Sequence, residues 1–128
     1  MVDEVRLEKA IMKSWCSETS LDSENWSEKN PACGQSAITA LVLNDYLGGK
    51  IIQSDAILLD GRTESHYFNS IGGEQIDITR RQFPEGTLIP TGMPKKKGFD
   101  STREYVLSSK KTRDRYEILK AMVEVSLS

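Results

Sequence analysis

Residues 30–49 read NPACGQSAITALVLNDYLGG, and the fold is built outward from this stretch. Asn30-Pro31 has the form of a helix N-cap followed by proline at the first helical position, where a missing N–H costs nothing, and Gly48-Gly49 supplies the stop. The helix bracketed in this way is about sixteen residues long. Its body, Ala37-Ile38-Thr39-Ala40-Leu41-Val42-Leu43, is apolar nearly all the way round. A helix without a polar face has no side to give to water, so this one belongs at the centre of the fold, with sheet and helices packed around it.

Downstream, Lys50 to Asp60 (KIIQSDAILLD) carries two short runs rich in Ile and Leu that read as strands. Glu64 to Thr79 (ESHYFNSIGGEQIDIT) reads as a hairpin, two alternating stretches joined by Gly72-Gly73, a pair able to take the positive φ of a two-residue turn. That loop sets Phe68 opposite Asp77 and His66 opposite Thr79. His66, Phe68 and Asp77 then share one face, with His66 and Asp77 on a diagonal of ~7–8 Å, within side-chain reach. Upstream, Val2 to Trp15 has Val5, Leu7, Ile11, Met12 and Trp15 at helical spacing with acids in the first turn, and Cys16 to Asn30 is a polar loop around Trp26. Towards the end, Pro84 to Pro94 is loop with one strand at Thr87 to Ile89. A short capped helix begins at Asp100 to Glu104, and a longer one from Thr112 to Val125 puts Tyr116, Leu119, Met122 and Val123 on one face. The expected class is α+β: a central buried helix on a small antiparallel sheet, flanked by N- and C-terminal helices.

A chain of 128 residues is long enough for one domain, residues 1–128, with a hydrophobic core that needs no metal or disulfide staple. Lys and Arg number 17 against 19 Asp and Glu, so the basic excess that phosphate backbones demand is absent and nucleic acid is not an expected partner. Lys95-Lys96-Lys97-Gly98 reads as a solvated loop. No apolar stretch approaches the ~20 residues that span a bilayer, and the start, MVDEVRLEKA, has neither the basic nor the apolar part of a signal peptide, so no membrane partner and a cytoplasmic location are expected. In a reducing compartment Cys16 and Cys33 read as thiols. One histidine, two cysteines and no CxxC leave too few ligands for zinc, and no cofactor motif is present.

The chemistry lies where the helix start meets the hairpin. A thiol or hydroxyl at a helix N-terminus gains free N–H groups for an oxyanion. A histidine on a neighbouring strand takes its proton, and an acid orients that histidine, which together are the parts of nucleophilic acyl transfer. His66 and Asp77 are the base and the orienting acid of this reading, with Ser36 or Cys33 as the nucleophile. The bland alternatives are a strand histidine bonded to a backbone carbonyl, an Asp77 that pairs with Arg80, and a Cys33 that is a small buried hydrophobe. Gln35 is either an oxyanion donor or a partner in a helix cap. Trp15 and Trp26 read as core or cleft-wall aromatics.

Several motifs together resemble the bacterial YunG-like family of uncharacterised proteins. These are Asn30-Pro31-Ala32-x-Gly34-Gln35-x-Ala37-x-Thr39-Ala40-Leu41-Val42, Asp45-Tyr46-Leu47-Gly48-Gly49, His66-Tyr67-x-Asn69, Ile76-Asp77-x-Thr79-x-x-Gln82-Phe83, Arg103-Glu104-Tyr105 and Arg115-Tyr116. The resemblance runs through most of the chain and implies a papain-like or transglutaminase-like layout, in which a Cys at a helix start meets His and Asp from an antiparallel sheet. One departure matters. Where the family usually has cysteine after the Gly-Gln pair, this chain has Ser36. Three readings follow: Ser36 is a serine nucleophile, Cys33 one helical turn earlier has taken the role, or the chain is an inactive relative whose cleft binds a peptide or small molecule without turnover. A hydroxyl put into a thiol site is a poorer nucleophile near neutral pH, which keeps the third reading open.

Overall fold

The computed structural model describes residues 3–128. The elements run α1 (Glu4–Ser14), α2 (Ser36–Leu47), β1 (Lys50–Ile57), β2 (Thr63–Ile71), β3 (Glu74–Ile76), α3 (Thr102–Leu107) and α4 (Lys110–Leu127), with single 3-10 turns at Ser17–Thr19 and Arg80–Gln82. The strands form one antiparallel sheet in the order β1-β2-β3. The class is therefore mixed α and β, with a small antiparallel sheet and helices flanking it.

The core is centred on α2, whose residues Ile38 to Leu43 are all buried. Leu7, Ala10 and Ile11 of α1 and Tyr116, Leu119 and Val123 of α4 pack with it in one apolar cluster, and Ile51 brings in the sheet. Burying each Leu, Ile or Val side chain is worth ~1.5–3 kcal/mol, so an all-apolar helix is driven to the centre whatever its neighbours. Met122, expected on the inner face of α4, is 38% exposed because Leu119 and Val123 already fill the seam. Polar links close the bundle. Trp15 Nε1 donates to Thr39 Oγ1 at 2.9 Å. Arg103 pairs with Asp45 at 2.7 Å, and the Tyr116 hydroxyl donates to the same carboxylate, tying α3 and α4 to the far end of α2.

Three expected elements are corrected. Helix α2 starts at Ser36, not Pro31, because Gly34 sits at φ +71°, which no right-handed helix can pass through. Residues 31–35 instead form tight turns, in which Cys33 N–H donates to Asn30 C=O and Gln35 N–H to Ala32 C=O. The two runs of residues 50–60 form one strand, since the polar residues between them are satisfied from outside: Ser54 Oγ donates to Pro90 C=O at 2.6 Å, and Gln53 exchanges backbone bonds with Met93. Thr87 to Ile89 forms no strand, only a bridge from Leu88 to Ile57. The segment carrying these bonds lies along the outer edge of β1, and Gly92 is pressed so close that a Cβ there would fall 2.1 Å from Gln53 O.

The hairpin register is the expected one: Asn69 opposes Ile76, Ser70 opposes Gln75 and Ile71 opposes Glu74. The ladder stops there, so Asp77 and Thr79 leave the sheet instead of opposing Phe68 and His66. Asn69 Nδ2 donates to Ala40 C=O, which turns the odd-numbered residues of β2 towards α2. By strand alternation His66 and Phe68 project from the opposite face.

Candidate functional site

His66 is fully buried on that second face, and its Nε2 lies 2.9 and 2.8 Å from the two oxygens of Asp77, itself only 6% exposed. An ionised carboxylate only accepts, so Nε2 carries the proton, and in the neutral ring Nδ1 holds the lone pair. Phe83 stands edge-on to the imidazole at 5.1 Å, and Phe68 lies tilted at 5.9 Å. His66 Nδ1 is buried without a hydrogen-bond partner among the described residues. An unmet ring nitrogen costs about 1–3 kcal/mol, so a basic atom is held here at the expense of stability. Asp77 does not pair with the Arg80 side chain; only its carbonyl meets Arg80, accepting from the backbone N–H at 3.4 Å.

Ser36 is the first residue of α2. Its Oγ accepts a long bond, 3.4 Å, from the N–H of Tyr67, the neighbour of His66, at the edge of β2 that β3 leaves uncovered. The segment that delivers Ser36 is held from both sides. Ser20 Oγ donates to Cys33 C=O at 2.7 Å, and Leu21 N–H donates to Gly34 C=O at 2.9 Å. Gln82 accepts from Gly34 N–H through its side chain and from Asn30 Nδ2 through its carbonyl. The Arg80–Gln82 turn therefore fastens the α2 start to the stretch that carries Phe83 over His66. Trp26, half-buried, helps by donating from Nε1 to Pro31 C=O at 2.9 Å.

Ser36, Ala37, Cys33, Tyr67, Gln82 and Phe83 border one cleft of about 600 Å³, with Arg115 and the carboxylates of Asp22 and Glu64 also on its walls. His66 stands behind this wall and is not part of its lining. The first-turn N–H groups of Ser36 and Ala37 have no partners within the helix and lie at the same cleft. Cys33 borders the cleft from the turn before α2, not from one helical turn upstream. Burial pushes its thiol up, with Asp22 and Glu64 adding to the effect, so little of it is thiolate near neutral pH. Gln35 is not an oxyanion donor: it is fully buried, with Nε2 donating to Cys16 C=O and Oε1 accepting from Thr19 Oγ1. Sequence reasoning passed over Gln82, Phe83 and Arg115. Their types carry no chemical signature alone, and their only signal was membership in the motif pattern.

What stands here is a small α+β fold with a serine at a buried helix start and a buried histidine-aspartate pair across the strand edge. The family model for the YunG protein matches residues 3–128, and the chain belongs to that family. It is also 40% identical over 77 residues to the "Uncharacterized protein YunG" of Bacillus subtilis (strain 168), an alignment that spans 59% of each chain. No solved structure matches. No helix among the described residues is long and apolar enough to cross a membrane, and no group of three or more His, Cys, Asp or Glu among them is arranged to hold a metal ion.

Proposed function

We propose that this is a papain-like or transglutaminase-like acyl-transfer domain that acts on an amide or thioester through Ser36, His66 and Asp77. The observation that carries the reading is the buried His66, oriented through Nε2 by Asp77 and with Nδ1 unpartnered among the described residues, while Ser36 Oγ bonds the N–H of the next residue, Tyr67. The reaction requires the Ser36 hydroxyl and His66 Nδ1 to meet at the strand edge. Oγ then bonds to the substrate carbonyl carbon as its proton passes to Nδ1, and the oxyanion meets the first-turn N–H groups of α2. Collapse breaks the bond to the amine or thiol leaving group, which takes the proton from His66. Water or an acceptor nucleophile releases the acyl group from Ser36 by the same steps in reverse. Asp77 holds the ring orientation and stabilises the imidazolium.

A second reading, a cleft that binds a peptide or small molecule without turnover, is favoured by the Tyr67 N–H bond that occupies Ser36 Oγ and by the absence of His66 from the cleft lining. One experiment separates them. In the Ser36→Cys protein the introduced thiol should react with iodoacetamide at pH 7 at least about tenfold faster than Cys16 or Cys33, and His66→Ala should remove the excess. Equal rates at all three thiols would reject the acyl-transfer reading in favour of the binding module.

A further inference from the structure

Arg115 is the charged residue that this reading leaves unused. It lies on α4, half-buried, and borders the same cleft as Ser36. By contrast, Arg103 pairs with Asp45 through one nitrogen, and its other reaches Leu41 C=O and Asn44. Arg115 makes no ion pair among the described residues, and its two hydrogen bonds are long, 3.5 Å to Thr19 C=O and 3.3 Å to Thr112 Oγ1. Burial alone moves its guanidinium below the ordinary value, with no carboxylate acting against that shift. A half-buried guanidinium with no ion-pair partner among the described residues has donors to spare and gains from a carboxylate placed within its reach.

We propose that Arg115 is a specificity residue that takes a carboxylate of the substrate, so that the acyl compounds handled at Ser36 carry a single negative charge. The chemistry of the cleft selects a carboxylate over a phosphate. A planar fork pairs with either group, but Asp22 and Glu64 on the same walls repel a dianion more than a monoanion, and that difference favours the carboxylate. The inference rests on the acyl-transfer reading for its link to chemistry, while the binding preference stands without it.

The test compares two alkylating reagents of one shape and different charge on one thiol. In the Ser36→Cys protein, rates with iodoacetate and iodoacetamide are followed thiol by thiol by mass spectrometry. The ratio of the iodoacetate rate to the iodoacetamide rate at the introduced thiol should exceed the ratio at Cys16 by about fivefold, as expected for one charge-assisted contact in a partly screened cleft. Arg115→Gln should abolish that excess, and Arg115→Lys, which keeps the charge but loses the fork, should retain part of it. A ratio unmoved by Arg115→Gln overturns the proposal. Because each ratio is taken at a single thiol, failure of His66 to activate that thiol would reject acyl transfer and leave the charge preference readable. If Ser36→Cys does not fold, the unsubstituted protein is titrated with N-acetylglycine and N-acetylglycinamide while the Arg115 side-chain resonance is observed. A shift with the carboxylate alone supports the assignment; equal or absent shifts reject it.

Discussion

Removal of the Asp77 carboxylate tests the central pair most directly. In Asp77→Ala, His66 stays fully buried with both ring nitrogens unpartnered, since Nδ1 has no partner to begin with. One newly unmet buried donor, previously bonded to a charged acceptor, costs about 2–3 kcal/mol. The entropy of unfolding for a chain of this length is roughly 0.27 kcal/mol/K, from about 2.1 cal/mol/K per residue, so the loss corresponds to a fall in Tm of about 7–11 °C. Asp77→Asn keeps an acceptor for Nε2–H and should recover half or more of that loss. Thermal and urea unfolding followed by circular dichroism measure both variants, with His66→Ala and the double variant completing a cycle. His66→Ala should be at least as damaging as Asp77→Ala, because it leaves a buried carboxylate without its partner. A Tm within about 2 °C of the parent for Asp77→Ala, or effects of the two single variants that add within about 0.5 kcal/mol, would refute a coupled buried pair.

Two more perturbations probe what supports the site. Gly34→Ala should destabilise the protein by more than about 2 kcal/mol and displace the α2 start, because φ is +71° and a Cβ would lie 2.4 Å from Ser20 Oγ and 2.8 Å from Leu21 N; a melting curve like the parent's would exclude this strain. The Tyr116 hydroxyl, pushed up to about 12 by burial and by its bond to Asp45, binds its proton more tightly folded than unfolded. Its contribution is fully present below about pH 10, the ordinary phenol value, and is lost as pH rises towards about 12. Tyr116→Phe should flatten the fall in stability over that window, and an unchanged slope would show that the phenol is not linked to folding.

Much of the fold was legible in the chain because it depends on patterns that act locally. An all-apolar run between Asn-Pro and Gly-Gly has to be a central helix, and a Gly-Gly loop between alternating stretches leaves one register that keeps Phe68 buried. The pattern also predicts His66 and Asp77 within reach of each other; the two are hydrogen-bonded, but from an Asp77 that lies just past the end of β3 and not on the expected cross-strand diagonal. The helix starts later than the sequence predicts because Pro31 is an equally good residue for a turn, and Gly34 takes a positive φ in a segment bonded to Ser20 and Leu21.

The sequence by itself determined which elements form and which side chains alternate together, since propensity, periodicity and turn chemistry involve residues a few positions apart. Only the tertiary structure decided which groups meet across the chain. Gln35 is spent on Cys16 and Thr19 instead of facing the cleft, Gln82 fastens the α2 start from 48 residues away, and Arg115 arrives from the last helix with no ion-pair partner among the described residues. The reason is physical. A hydrogen bond or ion pair between distant residues depends on how packed layers settle against each other, and no local pattern encodes that.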